Sequence, residues 1–231
     1  MNISRDETSS RGFDRAAAVT RSLLGYGVVA GPFYLVVGLI QAFTREGFDL
    51  SEHSLSLLAN GSWGWVQIAN LIVTGLMVIA AAAGFMRAQQ PERKVGVLIA
   101  VFGVGLILSG AFVADPMEGF PPGTPDGQPE STSLAGILHL AFSGIGLLAL
   151  AAAYFVLAGW FARREDDDLA RASRVSGIVV LGGFVLGAAT ATTPVGVSAL
   201  WVAVLAAWAW LAVASVALYK TVPHPDLDKR F

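Results

Sequence analysis

The chain has no cysteine and few charged residues. Without cysteine there can be no disulfide, no thiolate metal site and no thiol nucleophile, and the redox compartment is left undetermined. Charged residues make up 14% of the chain, against about 25% in an ordinary soluble domain. They are clustered, which leaves long uncharged segments. The formal net charge is only −2, so the basic footprint of a nucleic-acid-binding protein is missing. The apolar runs also lack the period-two alternation of a membrane β-barrel. What remains is a chain that is 55% hydrophobic. Arginine outnumbers lysine, and alanine and glycine are abundant, a composition that hints at a GC-rich bacterial source.

A helix rising about 1.5 Å per residue needs about 20 mainly apolar residues to cross the hydrocarbon core. Six segments meet this requirement: Leu23–Phe43, Val66–Met86, Val95–Ala114, Leu134–Phe161, Val175–Ala191 and Ala199–Tyr219. The expected fold is therefore all-α, a polytopic bundle of six transmembrane helices over residues 22–220. A tail of residues 1–21 and a tail of residues 221–231 flank it. The first span follows a basic segment, but its apolar run is too long for a signal-peptide core and no small-residue cleavage site follows closely. It reads as an uncleaved anchor.

Basic residues favour the cytoplasmic side of a membrane. Fourteen of the fifteen Lys and Arg fall in the N-terminal tail, the second-to-third loop, the fourth-to-fifth loop and the C-terminal tail. Arg45 alone lies on the opposite side. Only an even number of spans gives this pattern, so both termini are expected in the cytoplasm and the protein in the inner (plasma) membrane. Trp63, Trp65, Trp160, Trp201 and Tyr219 lie near span ends, where amphipathic rings favour the interface. Trp208 and Trp210 lie mid-span and read as core or lipid-facing aromatics.

Small residues let helix backbones approach closely in lipid. Gly27 and Gly31 in the first span, Gly96, Gly103 and Gly110 in the third, and Gly183 and Gly187 in the fifth are spaced to share helix faces. Packing within the bundle explains them, and a homo-oligomer built through one of these faces is the alternative. Pro32 is expected to kink the first span.

The chemistry-bearing residues gather on the outer side. The loop from Thr44 to Trp65 carries Arg45, Glu52, His53 and Ser56. Within it, Leu50–Leu58 is expected as a short interfacial helix capped by Ser51 and ended by Gly61. The loop from Asp115 to Ser133 holds four acidic residues, no basic one and five of the ten prolines. His139 lies about one and a half turns into the fourth span. An ionisable residue inside a span is a site candidate by default. A neutral imidazole, however, needs only a hydrogen-bond partner, such as Ser109 or Ser143. His53, Asp115 and His139 supply the three protein ligands of a catalytic zinc site, with Glu52 or Ser56 as base or orienter. Their spacing is dispersed and contains no local metal motif. Arg45, the lone outer cation, is expected to pair with Glu46, Asp49 or Asp115, or to meet an anionic headgroup. The N-terminal arginines can rest on anionic lipid.

One ordered set of residues is familiar: Gly31-Pro32, Tyr34, Glu52-His53-Ser54-Leu55-Ser56-Leu57, Gly64-Trp65-Val66-Gln67, Asn70, Gly75, Asp115-Pro116 and His139. In this it resembles a family of prokaryotic membrane proteins filed as domain of unknown function 998, over about residues 20–220. The resemblance implies a six-span protein with no assigned activity, and it points to His53, Ser56, Asp115 and His139 without giving them roles. A fainter likeness is to alkaline-ceramidase-like transmembrane hydrolases, which gather His, Asp and Ser residues around zinc at one membrane face. This chain has two outer histidines and six spans where that pattern has three and seven.

Two functions compete on these grounds. The first is a lipid- or small-ligand-binding, sensing or accessory membrane component with its polar site outside. The second is a metal-dependent hydrolase acting on lipid at the outer leaflet. Ion-coupled transport is disfavoured, because the mid-bilayer segments carry no acidic or basic residue.

Overall fold

The computed structural model describes residues 12–88 and 93–226. Arg5, Arg11, Lys229 and Arg230, which count toward the charge asymmetry, lie outside the described residues. Six long helices account for most of the chain: α1 (Arg15–Thr44), α2 (Gly64–Arg87), α3 (Arg93–Ala111), α4 (Leu134–Ala162), α5 (Asp167–Ala189) and α6 (Pro194–Thr221). Each is long and apolar enough to cross a membrane, and there is no strand among the described residues. The protein is a six-helix multi-pass membrane protein.

Helix boundaries extend beyond the apolar runs where polar caps allow it. Asp14 caps α1 by accepting from Ala17 N–H at 2.9 Å, so the helix starts eight residues before the expected span and shortens the N-terminal tail. Asp166 caps α5 in the same way, which draws Arg171 and Arg174 into its first turns. Thr193 caps α6 through Gly196 N–H, with Pro194 at the first helical position, where a missing N–H costs nothing. α1, at 30 residues, is the longest helix, just ahead of α4 at 29.

Each helix packs on its neighbours in sequence, and α6 returns to α1, so the six form a closed ring in chain order. The glycine faces are used inside that ring. A Cβ on Gly103 would lie 2.8 Å from the Gly75 carbonyl oxygen, and Gly96 and Gly110 also face α2. Gly27 and Gly31 meet Ser215 and Trp208 of α6, and Gly183 and Gly187 also meet α6. The homo-oligomer expected as an alternative through these faces therefore finds them already occupied by the chain's own helices.

The half of the ring near the termini is filled. Leu24, Phe85, Ile99, Tyr154, Leu157, Leu211 and Leu218 are fully buried there. Tyr154 bridges the ring by donating to the Ala207 carbonyl at 2.5 Å. Contacts between the first and last described segments close that side: Asp14 N–H donates to Pro225 O at 2.7 Å, and Arg21 lies over the Tyr219 ring while donating to Val222 O. Outward residues such as Ile40, Leu76, Ile145, Ile178 and Val202 are exposed, as a surface solvated by lipid tails requires. Trp63 and Trp65 are also exposed, at 62% and 61%, consistent with an interfacial position. Trp208 and Trp210 are core residues.

Candidate functional site

The other half of the ring, beneath the two long loops, is hollow. A cavity of about 370 Å³ runs from the loops into the bundle, within the roughly 300–1,000 Å³ of ordinary ligand pockets. All six helices contribute to its wall. Its deep end is apolar and aromatic, with Tyr34, Phe102, Leu147, Phe184 and Trp208. Tyr34 sits about 15 Å of helix rise from the end of α1, roughly half the 30 Å hydrocarbon thickness. The rim is polar and includes Ser54, Ser56, Asp115, Gln128, Thr132 and His139.

Gly144 lets the Phe184 ring approach α4, since a Cβ there would lie 2.9 Å from it. One turn further toward the loops, Leu140 of α4 and Ala188 of α5 both line the cavity and are both exposed.

The two long loops are locked to each other by His53, which is buried at 1% exposure. Its Nδ1 accepts from the Asp49 N–H at 2.8 Å, and its Nε2–H donates to Glu118 O at 2.8 Å. This pattern sets the tautomer. The ring packs with Phe48 and the fully buried Phe120, at centroid distances of 5.1 and 5.6 Å. Arg45 reinforces the junction. Its guanidinium donates to the carbonyls of Leu58 and Asn60 at 2.5 and 2.6 Å and lies over Phe120. The expected ion pair of Arg45 with Glu46, Asp49 or Asp115 does not form. Carbonyls at a tight turn, opened by Gly61 at φ +76°, offer two acceptors matched to the guanidinium fork. Burial pushes the Arg45 pKa below its ordinary value.

The short helix of the first loop also departs from expectation. It is a 3₁₀ turn, Leu55–Ala59, preceded by Ser54. Ser51 does not cap it, because its hydroxyl and N–H both donate to Asp49 Oδ1, at 2.6 and 2.7 Å. Those two hydrogen bonds hold the Asp49 carboxyl below its ordinary range, against a weaker opposing effect of burial.

Asp115 follows the end of α3 and reaches the start of α4. Its Oδ2 accepts from Ser133 N–H at 2.9 Å and would lie 2.2 Å from a Cβ on Gly136. The carboxylate thus sits on the positive end of the α4 dipole. One turn along the same face is His139, at 7% exposure. Its Nδ1 is 2.9 Å from the carbonyls of both Ser109 and Phe112. Its proton is therefore on Nδ1, and Nε2 is left as an acceptor. The partner is the Ser109 backbone, while the Ser109 hydroxyl bonds that of Ser143 at 2.8 Å.

The structure thus separates the candidates. Ser56, Asp115 and His139 line the cavity. His53 and Arg45 hold the loops together and do not line it. Glu52 is exposed and also lies outside it. The zinc triad expected from His53, Asp115 and His139 is not assembled: both His53 nitrogens are committed to backbone groups, and among the described residues no three His or carboxylate side chains gather as a metal site would require. The residues do not fit a zinc ion.

Several cavity residues had no signal in the sequence. Phe102, Phe184, Leu147 and Val204 look like any other lipid-facing or core residue until the ring closes. Gln67 and Asn70 resolve differently, as a buried polar bridge. Gln41 Nε2 donates to Gln67 Oε1 at 2.8 Å, and Asn70 Nδ2 donates to Gln67 Oε1 and to Tyr34 O. The bridge pins α1 to α2 behind the cavity wall.

No curated protein and no solved structure matches the chain. One family does, described as protein of unknown function (DUF998), over residues 28–217. That match spans well over half of the sequence, so this six-helix membrane protein, with its hollow ring and loop-locked rim, belongs to the DUF998 family.

Proposed function

We propose that the protein binds a membrane amphiphile, with the polar head at the loop rim and the apolar tail inside the ring. The observation that carries this reading is the cavity itself, polar at the rim and aromatic and aliphatic in its depth. A soluble ligand would not need a wall of Phe102, Leu147 and Trp208. A lipid-chain ligand with a polar head matches both the apolar depth and the polar rim. The charge asymmetry of the sequence supports an outward-facing loop side, so the ligand would come from the outer leaflet of the plasma membrane. A binding, sensing or accessory role follows more directly than hydrolysis, because the metal ligands of the hydrolase reading are not gathered.

Photolabelling tests this reading. The protein is placed in phosphatidylcholine nanodiscs with a long-chain alcohol that carries a photoreactive group and a click handle. Adducts are expected on cavity residues such as Leu147 and Trp208. Val204→Trp, which fills the cavity, should remove most of them, whereas Val185→Trp on the exposed face of α5 should not. Adducts confined to outward residues such as Ile178 and Val185 would overturn the proposal.

A further inference from the structure

We propose that the head group taken by this cavity is a hydrogen-bond donor without negative charge, a primary ammonium or a hydroxyl-bearing head, held between Asp115 and His139. The inference rests on the amphiphile-binding reading above and specifies its ligand class.

Two acceptors are left open at the rim. Asp115 uses Oδ2 for Ser133 N–H, and its Oδ1 accepts no hydrogen bond among the described residues. His139 uses Nδ1 for two carbonyls, and its Nε2 lone pair has no partner among the described residues although the ring is buried. Gly136 and His139 are about 4.5 Å apart along α4, and the Asp115 carboxylate lies against Gly136. The two free acceptors therefore belong to one patch of cavity wall. Neither acceptor atom is sealed inside the protein, and both residues line the cavity, so a ligand N–H or O–H can reach them there.

Charge points the same way. Among the described residues no Lys or Arg lines the cavity, and Asp115 is its one charged residue. The second loop, which supplies Gln128, Pro129 and Thr132 to the rim, adds Glu118, Asp126 and Glu130 and no cation. The nearest basic residue on that side by sequence, Arg45, is committed to Leu58 O, Asn60 O and the Phe120 face. A phosphate or carboxylate head would meet acceptors and negative charge with no compensating cation. A quaternary ammonium would satisfy the charge but could donate nothing.

Four probes that share one photoreactive chain separate these possibilities in phosphatidylcholine nanodiscs: a primary amine, an alcohol, a trimethylammonium and a carboxylic acid. Labelling of cavity peptides is expected to be strongest for the amine and alcohol, and weaker for the acid by about tenfold or more, since one unit charge a few ångströms from another is worth about fivefold in bulk water and approaches a thousandfold near a protein surface. The trimethylammonium should fall between them. Asp115→Asn should narrow the gap between amine and acid. Because Asp115 also holds the start of α4, the ranking in the unsubstituted protein is the primary readout, and His139→Phe, which removes the second acceptor, should weaken alcohol labelling independently. Equal cavity labelling by acid and amine would overturn the head-group proposal while leaving amphiphile binding intact. Trimethylammonium labelling equal to that of the amine would overturn the donor requirement. Absence of cavity adducts with every head would overturn both proposals.

Discussion

His53 shows how a residue that looks catalytic can be structural. It is a buried imidazole in a polar loop, yet each nitrogen meets a backbone group of a different loop. Its removal therefore strands one donor and one acceptor. His53→Phe keeps the aromatic packing with Phe48 and Phe120 but leaves the Asp49 N–H and the Glu118 carbonyl unpaired. The expected loss is about 1–3 kcal/mol for each group denied water, read as a lower melting temperature in detergent and as faster proteolysis of the Asp115–Ser133 loop. An unchanged melt would mean that the loops are held elsewhere. His139 was legible as a buried histidine with a hydrogen-bonding need. Its two carbonyl partners were not, because they are presented by the last turn of α3 and the residue that follows it, and the register of α3 against α4 is a property of packing.

At the scale of elements, the α2–α3 seam is the tightest test of the bundle. Gly75 and Gly103 each lie against the other's carbonyl: a Cβ on the first would be 2.6 Å from Gly103 O, and one on the second 2.8 Å from Gly75 O. Gly103→Val should force the helices apart and cost about 1–3 kcal/mol or more, as overpacking does. Gly182→Ala, at a helical position with no atom within 4 Å of the added carbon, should be neutral or slightly stabilising, since alanine is the better helix former by up to about 1 kcal/mol. Resistance to denaturation by SDS reads both variants. The seven-residue spacing of Gly96, Gly103 and Gly110 was visible in the sequence as one face. Whether that face met another copy or the chain's own α2 was not, since small residues serve either kind of approach equally.

At the scale of the molecule, the absence of cysteine becomes an experimental advantage, because any introduced thiol reports without background. If the loop side faces outward, Glu130→Cys should react with a membrane-impermeant maleimide in intact cells, and Arg164→Cys only after permeabilisation. The reverse pattern would invert the orientation proposed here. Composition and hydropathy alone determined that the chain is an all-helical, six-span membrane protein, because each crossing must bury about 20 apolar residues whatever its neighbours are. Position in the outer loops and fourth span, together with the family resemblance, singled out Arg45, Glu52, His53, Ser56, Asp115 and His139 as candidates. Only the tertiary structure decided that His53 and Arg45 are fasteners, that Asp115 seats the start of α4, and that the ring is filled near the termini but hollow beneath the loops. The physical reason is that lipid-facing, core and cavity-lining positions all call for the same apolar side chains. The difference between a packed half and an empty half lies in how the six helices close on one another.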